Sequence, residues 1–191
     1  MRLFVALDLP EAAHHKLRDL IAELRNECPD IRWVRPEGIH VTLKFIGHVD
    51  EAKAHEIQEA LGKIHSDRPV IMELHGIGFF PNERRPRVVW CGVHGSDNLA
   101  KLAGDMEALL EPLGIEREAR PYTPHLTLAR IDPEKVRRAQ VEKVVATAKK
   151  FEVTSFGSAR ETQFHLYESV TKPSGAEYKI LQSFSFVKGS A

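Results

Sequence analysis

Cysteine is scarce in this chain: Cys28 and Cys91 are the only two among 191 residues, far apart and without metal-ligand spacing. A disulfide framework and a cysteine-based metal centre are both excluded, and two free thiols in a reducing compartment are expected. An excess of either charge is also missing, since Lys plus Arg and Asp plus Glu each number 27. Proteins that grip nucleic acid along its length usually carry a basic excess, so a nucleic-acid partner would be held at an end, by a few residues. No apolar run approaches the length of a membrane span. The run Leu3–Leu7 stops at Asp8 after five residues, too short for a signal peptide, and a cytoplasmic protein is expected. His-Glu-x-x-His, Cys-x-x-Cys pairs and acidic cation loops are absent, and Gly76-Ile77-Gly78 lacks the strand-to-helix setting of a phosphate loop. No metal and no cofactor is expected.

What is present is a repeat. His40-Val41-Thr42-Leu43 returns as His125-Leu126-Thr127-Leu128, 85 positions later (from 40 to 125). Side chains alternate faces along a β-strand, so His40 projects with Thr42, and His125 with Thr127, while Val41, Leu43, Leu126 and Leu128 anchor a core. A single copy reads most simply as a half-buried strand histidine bonded to its threonine. Two copies sharing the trailing leucine and a following helix make that coincidence hard to sustain. The other eight of the ten histidines have no partner at ligand spacing, and His14 and His15 are expected on the exposed side of the first helix.

The surrounding pattern is α+β. Leu3–Leu7 reads as a buried strand, with Asp8, Glu11 and Pro10 as a capping box for a helix carrying Ala13, Leu17, Leu20, Ile21 and Leu24. The first repeat strand spans about His40 to Ile46, and Asp50 caps a helix with Ala54, Ile57, Leu61 and Ile64 on one face. Strands at Pro69–Phe80 and Pro86–Val93 flank the polar loop 81–85. Ser96 then caps a helix whose Leu99, Leu102, Met106, Leu109 and Leu113 face inward, closed by Gly114. The second repeat strand, about His125 to Ile131, leads into a helix from Asp132-Pro133 to about Ala148. Strands near Phe151–Thr154, Ala159–Glu168 and Tyr178–Val187 complete the pattern, with a hairpin turn at Lys172-Pro173-Ser174-Gly175. One module used twice predicts two pseudo-symmetric lobes, each a mostly antiparallel sheet backed by helices, around a central cleft. At 191 residues, residues 1–191 form a single two-lobed domain, with a monomer as the default state.

Two imidazoles on opposite sides of one phosphorus suit in-line displacement: one takes a proton from the attacking oxygen and the other gives one to the leaving oxygen. Each role is worth on the order of 10²–10⁴ in rate. Thr42 and Thr127 can donate hydrogen bonds to non-bridging oxygens as their charge grows. Neither threonine need be deprotonated, so a nucleophilic threonine is the weaker reading.

The paired motifs resemble the two-histidine phosphoesterase superfamily. Arg2-Leu3-Phe4-Val5-Ala6-Leu7, Trp33 through Gly47, Pro121 through Arg130, and Leu166-Tyr167-Glu168-Ser169 resemble one branch closely, the RNA 2′,3′-cyclic phosphodiesterases, also called 2′-5′ RNA ligases. The resemblance implies hydrolysis of a 2′,3′-cyclic phosphate RNA end to a 2′-phosphate, with RNA ends as partner and reversible ligation as a side reading. It also implies that His40 protonates the departing 3′ oxygen and His125 activates water; symmetry between the motifs leaves that direction open to residue-level reasoning. The family pattern gives Arg130 a contact with the phosphate or terminal nucleotide. Strict alternation places it opposite His125, so it needs a strand end or bulge to reach the cleft. Lys44 shares the His40 face by the same alternation, and Phe45 turns toward the core. Tyr122 could stack on a base, and Arg84, Arg85 and Arg87 form the one local basic cluster. The alternatives are a phosphodiesterase acting on small cyclic phosphates or 2′-5′ oligoadenylates, and a non-catalytic module that binds RNA ends.

Overall fold

A computed structural model describes residues 1–172 and 175–187. Nine strands and four helices alternate along the described chain: β1 Arg2–Leu7, α1 Glu11–Glu27, β2 Arg32–Trp33, β3 Val41–His48, α2 Glu51–Leu61, β4 Val70–Phe80, β5 Val88–Gly95, α3 Asp97–Leu110, β6 His125–Arg130, α4 Arg138–Ala148, β7 Ser155–Glu161, β8 Gln163–Lys172 and β9 Gly175–Ser185. The strands form two sheets, β3-β1-β8-β9 and β2-β6-β5-β4-β7, every ladder of which is antiparallel. This is the expected two-lobed α+β architecture.

Local signals account for most boundaries. The five positions expected to face inward from α1 are all buried, and Asp50 accepts a hydrogen bond from the Lys53 amide at 2.8 Å to start α2. Two expected caps are not formed. Asp8 Oδ1 accepts from the Leu9 amide instead, and Pro10, whose side chain has no acceptor, occupies the N-cap of α1. Ser96 Oγ accepts from the Ile71 amide and donates to Asn98 Oδ1, fastening α3 to β4 rather than capping its own helix.

Three late elements differ from the sequence expectation. The helix placed from Asp132 begins at Arg138, because Asp132 first closes a turn: its carboxylate takes the Glu134 amide and its carbonyl the Val136 amide. No strand forms at Phe151–Thr154; a 3₁₀ turn over Lys149–Phe151 extends α4 there. The single strand expected at Ala159–Glu168 is two, since the chain leaves β4 at Glu161, pairs with β9 from Gln163 and joins β1 from His165 onward. Of the expected hairpin turn, Pro173 and Ser174 lie outside the described residues.

The repeat unit is larger than the motif and is not itself a lobe. Strand, helix, motif strand and helix occur as β1-α1-β3-α2 and again as β5-α3-β6-α4. Yet α1, which follows β1, packs on α4 and on β7 of the other sheet, while α3 packs on α2 and on β3 as well as on β4 and β5. The halves therefore exchange helices. A continuous apolar core results, in which Leu7 and Val41 of one sheet meet the same cluster as Met72 and Leu126 of the other. Each fully buried Leu there contributes about 1.5–3 kcal/mol.

Candidate active site

Both motif strands carry the same irregularity at the same position. In the first ladder Ala6 opposes Thr42 and Val5 opposes Lys44, leaving Leu43 as an extra residue. In the second Trp90 opposes Thr127 and Val89 opposes Ala129, leaving Leu128 extra. A bulge of one residue resets the in–out phase downstream of it. Lys44 consequently points inward and is buried, and Phe45 points outward with 61% exposure, each the reverse of strict alternation. At the symmetric positions Ala129 is buried and Arg130 opposes Val88, on the face that carries Thr127 and His125. The bulge that Arg130 requires is thus in place; its side chain is exposed and makes no hydrogen bond or ion pair among the described residues.

His40 sits just before β3, half-buried against aromatic rings. It stacks on Phe4 (4.7 Å between centroids) and Tyr167 (5.5 Å) and meets the edge of Tyr178 at 5.2 Å. Phe4, Ala6 and Tyr167 form a separate small cluster on this face of the sheet. Burial disfavours the imidazolium, pushing the His40 pKa down to about 4; the Asp8 carboxylate opposes this shift and His14 adds to it. The unligated ring is accordingly neutral at pH 7.

His125 is held differently. Its Nδ1 lies 2.8 Å from the Thr123 carbonyl, which has only acceptor capacity. The neutral ring therefore takes the tautomer with the proton on Nδ1 and the lone pair on Nε2. Phe80 meets the ring edge-on at 5.2 Å. Beside it, Thr127 opposes Trp90, whose ring lies over Gly78: a Cβ there would stand 2.1 Å from Cζ2. Trp90 Nε1 is buried without a partner, the single such side-chain atom among the described residues.

Two ties draw the motifs together. Tyr122, three residues before His125, donates its hydroxyl hydrogen to the Thr42 carbonyl at 3.1 Å. Burial raises the pKa of that phenol, so it remains a donor. Lys44 Nζ reaches Glu107 Oε2 at 2.5 Å and the Glu116 carbonyl at 2.6 Å, fixing β3 to α3 and to the segment leading to Tyr122. β3 and β6 lie in direct contact. The strand following His40 and carrying Thr42 thus meets the strand carrying His125 and Thr127 where the two sheets join. Tyr122 serves as a brace there rather than as a stacking platform.

Other residues fall elsewhere. The Arg84 and Arg85 amides both donate to Asn82 Oδ1, so the basic cluster belongs to a polar turn. His14, expected on the exposed side of α1, is half-buried with Nδ1 3.0 Å from the Pro36 carbonyl. His75 and His94 stack at 3.9 Å. His165 is buried, with Nδ1 2.8 Å from Ser183 Oγ. Among the described residues no group of three or more His, Cys, Asp or Glu is arranged to hold a metal ion. Both cysteines are free and buried, and burial pushes the Cys91 thiol up to about 12. No described helix is long and apolar enough to cross a membrane. A cavity of about 410 Å³ lined by His65, Arg68, Asp97, Asn98 and Lys101 contains neither motif, and an Arg68–Asp97 ion pair occupies its wall. Sequence reasoning missed the aromatic bed under His40 and the Thr123 carbonyl. Phe4 and Tyr167 were visible as strand aromatics, but nothing in the pattern said which face they took.

A two-lobed α+β scaffold offering one His-x-Thr strand from each lobe is the architecture of a two-histidine phosphoesterase. The chain belongs to the LigT-like phosphoesterase family, whose model matches it twice, over residues 7–90 and 93–177, once around each motif. It is 35% identical over 184 residues to an RNA 2′,3′-cyclic phosphodiesterase of Archaeoglobus fulgidus, covering 96% of this chain and 99% of that one. To the protein of the same name in Thermotoga maritima it is 31% identical over 192 residues, covering 99% and 97%. Among solved structures, a Thermus thermophilus protein superposes with a TM-score of 0.78 at 30% identity, over 97% of this chain and 98% of that one. Escherichia coli LigT complexed with 3′-AMP superposes at 0.77 and 26% identity, over 98% of each.

Proposed function

We propose that this protein hydrolyses RNA 2′,3′-cyclic phosphate ends to 2′-phosphates without a metal, using His40 and His125 as a general acid and base. The observation that carries the reading is the junction itself: two His-x-Thr strands bulged alike and tied by the Tyr122–Thr42 hydrogen bond. Curated relatives named for this activity, matching nearly the whole chain, support it.

In the reaction, His125 Nε2 takes a proton from water as its oxygen bonds to phosphorus. The bond from phosphorus to the 3′ oxygen breaks, and that oxygen receives the proton of His40. The product is a 2′-phosphomonoester with a free 3′ hydroxyl. Thr42 and Thr127 hydroxyls, with Arg130, face the charge that builds on the non-bridging oxygens. The assignment of acid and base follows the family resemblance. His40 is neutral in the unligated protein, and the bound phosphodiester anion supplies the negative charge that favours its protonation. The reverse reaction joins a 2′-phosphate linkage, so 2′-5′ ligation uses the same groups. RNA ends are the partner, no obligate protein partner is required, and a monomeric, cytoplasmic enzyme of one domain fits this role.

The test is turnover of RNA oligonucleotides ending in cyclic phosphate, with chelator present throughout. Alanine at His40 or His125 is expected to lower kcat on the order of 10²–10⁴-fold. Binding without turnover would make the protein an end-binding module, and turnover of only small cyclic phosphates or 2′-5′ oligoadenylates would move the substrate. Activity abolished by chelator and restored by zinc would overturn the metal-free mechanism. The acid limb of kcat/KM is expected near pH 4, from free His40, and is shifted upward in kcat, which reports the complex.

A further inference from the structure

We propose that His94 and His75 form a second anion site beside the first, on the His125 face of the five-stranded sheet. It takes the phosphodiester that precedes the terminal nucleotide of the bound RNA. The proposal rests on the reading of the main site as an RNA-end phosphodiesterase and deepens it by naming what discriminates a chain end from a free nucleotide.

The register builds the site. His125 opposes Gly92 on β5, and Gly92 opposes His75 on β4. Directly opposed residues share a face, so His125, Gly92 and His75 form one row, about 10 Å from end to end across two strand spacings. The middle of that row has no side chain of its own. A Cβ on Gly92 would stand 2.5 Å from the His75 carbonyl oxygen and 3.5 Å from His94 Nε2, so the His94 ring lies over this position on the side of His75. His75 then stacks on His94 almost parallel, 3.9 Å apart at 6°. Neither ring makes a hydrogen bond or ion pair among the described residues.

Two imidazoles stacked this closely repel when both are protonated, and an anion at their edge removes that penalty. His94 is exposed and His75 half-buried, so a ligand can reach them. Glu73, exposed and directly opposite His94, is the acidic neighbour on this face. His94 Nε2 sits over Gly92, one strand spacing (about 5 Å) from His125, a separation comparable with the step from one phosphate to the next along an RNA strand. A mononucleoside cyclic phosphate has no second phosphate to place there, whereas an RNA end does.

The experiment compares kcat/KM for an RNA oligonucleotide ending in cyclic phosphate with kcat/KM for a mononucleoside 2′,3′-cyclic phosphate. In His94→Asn and in His75→Asn, each confirmed folded by its thermal transition, the preference for the oligonucleotide is expected to drop about tenfold, through KM. An unchanged preference in both variants overturns the proposal. An independent readout uses a dinucleoside monophosphate, which carries a phosphodiester but no cyclic end. Its addition to the wild-type protein is expected to raise the NMR titration midpoints of His75 and His94, and midpoints that stay put overturn the site. If the wild-type protein turns over neither cyclic substrate, the main-site reading fails and the titration alone decides the second site.

Discussion

The two motif strands share a backbone and differ in nearly everything placed on it. Both bulge at the leucine after the threonine, and both set a histidine beside a threonine at the junction. Around His40 the neighbours are three aromatic rings, which strip water from the imidazole and lower its pKa to about 4. Around His125 a backbone carbonyl fixes the tautomer and one phenyl edge touches the ring. Downstream the bulge buries Lys44 in one strand and Ala129 in the other, and exposes Phe45 in one and Arg130 in the other. A duplicated scaffold supplies two like strands, and divergence of their neighbours gives the two imidazoles unlike surroundings, as the proposed acid and base require. An in-line reaction needs two unlike proton carriers in like positions.

The largest expected effect tests whether the two histidines act as one unit. If they do, the His40→Ala/His125→Ala double variant loses little more kcat than either single, because either deletion already ends the relay. Additive losses would mean that they act separately. Next is the buried lysine. Removing one partner of the Lys44–Glu107 pair, as Lys44→Met or Glu107→Gln, is expected to destabilise by about 3–5 kcal/mol in urea unfolding. Ala129→Lys, which plants the same charge in the other lobe without its carboxylate, should be comparably costly.

Third, stability should respond to pH through His40. Its folded pKa of about 4 lies below the unfolded value of 6.5, so the unfolded chain binds the extra proton between them. Stability is therefore lost as pH falls from about 6.5 through about 4, by up to roughly 3 kcal/mol. His40→Phe should flatten this part of the unfolding profile, and a variant with the wild-type slope would show that burial at His40 is not the cause. Fourth, Arg130→Ala is expected to raise KM about tenfold, while Phe45→Ala changes unfolding stability by less than about 1 kcal/mol, since Phe45 is mostly exposed. Tyr122→Phe is expected to cost about 1 kcal/mol in unfolding, for one hydrogen bond between the motifs.

How far residues could be read in advance followed the range of the forces that place them. His40, Thr42, His125 and Thr127 were legible because period-2 alternation is local and the repeat doubled the signal. The helices of Leu17, Ile57 and Leu102 were legible for the same reason. Lys44 and Phe45 were misplaced because a bulge is decided by pairing with β1, a register that no local pattern names; one extra residue reverses both side chains. Arg130 showed the same problem from the other side, needing a bulge that only β5 could impose. The division of Ala159–Glu168 into β7 and β8 was hidden as well, since consecutive strands of two sheets read alike until their partners are known.

By itself the sequence determined that two like strands would each offer an imidazole and a hydroxyl on one face, within an α+β chain whose halves repeat. Those properties depend on neighbours two to four residues apart, where steric alternation and helical period act. Only the tertiary structure decided that the halves would trade helices, that a lysine would be buried and an arginine turned out, and that one histidine would lie among rings while its twin met a carbonyl. Each of these depends on long-range pairing and desolvation, energies that exist only once distant segments have closed on one another.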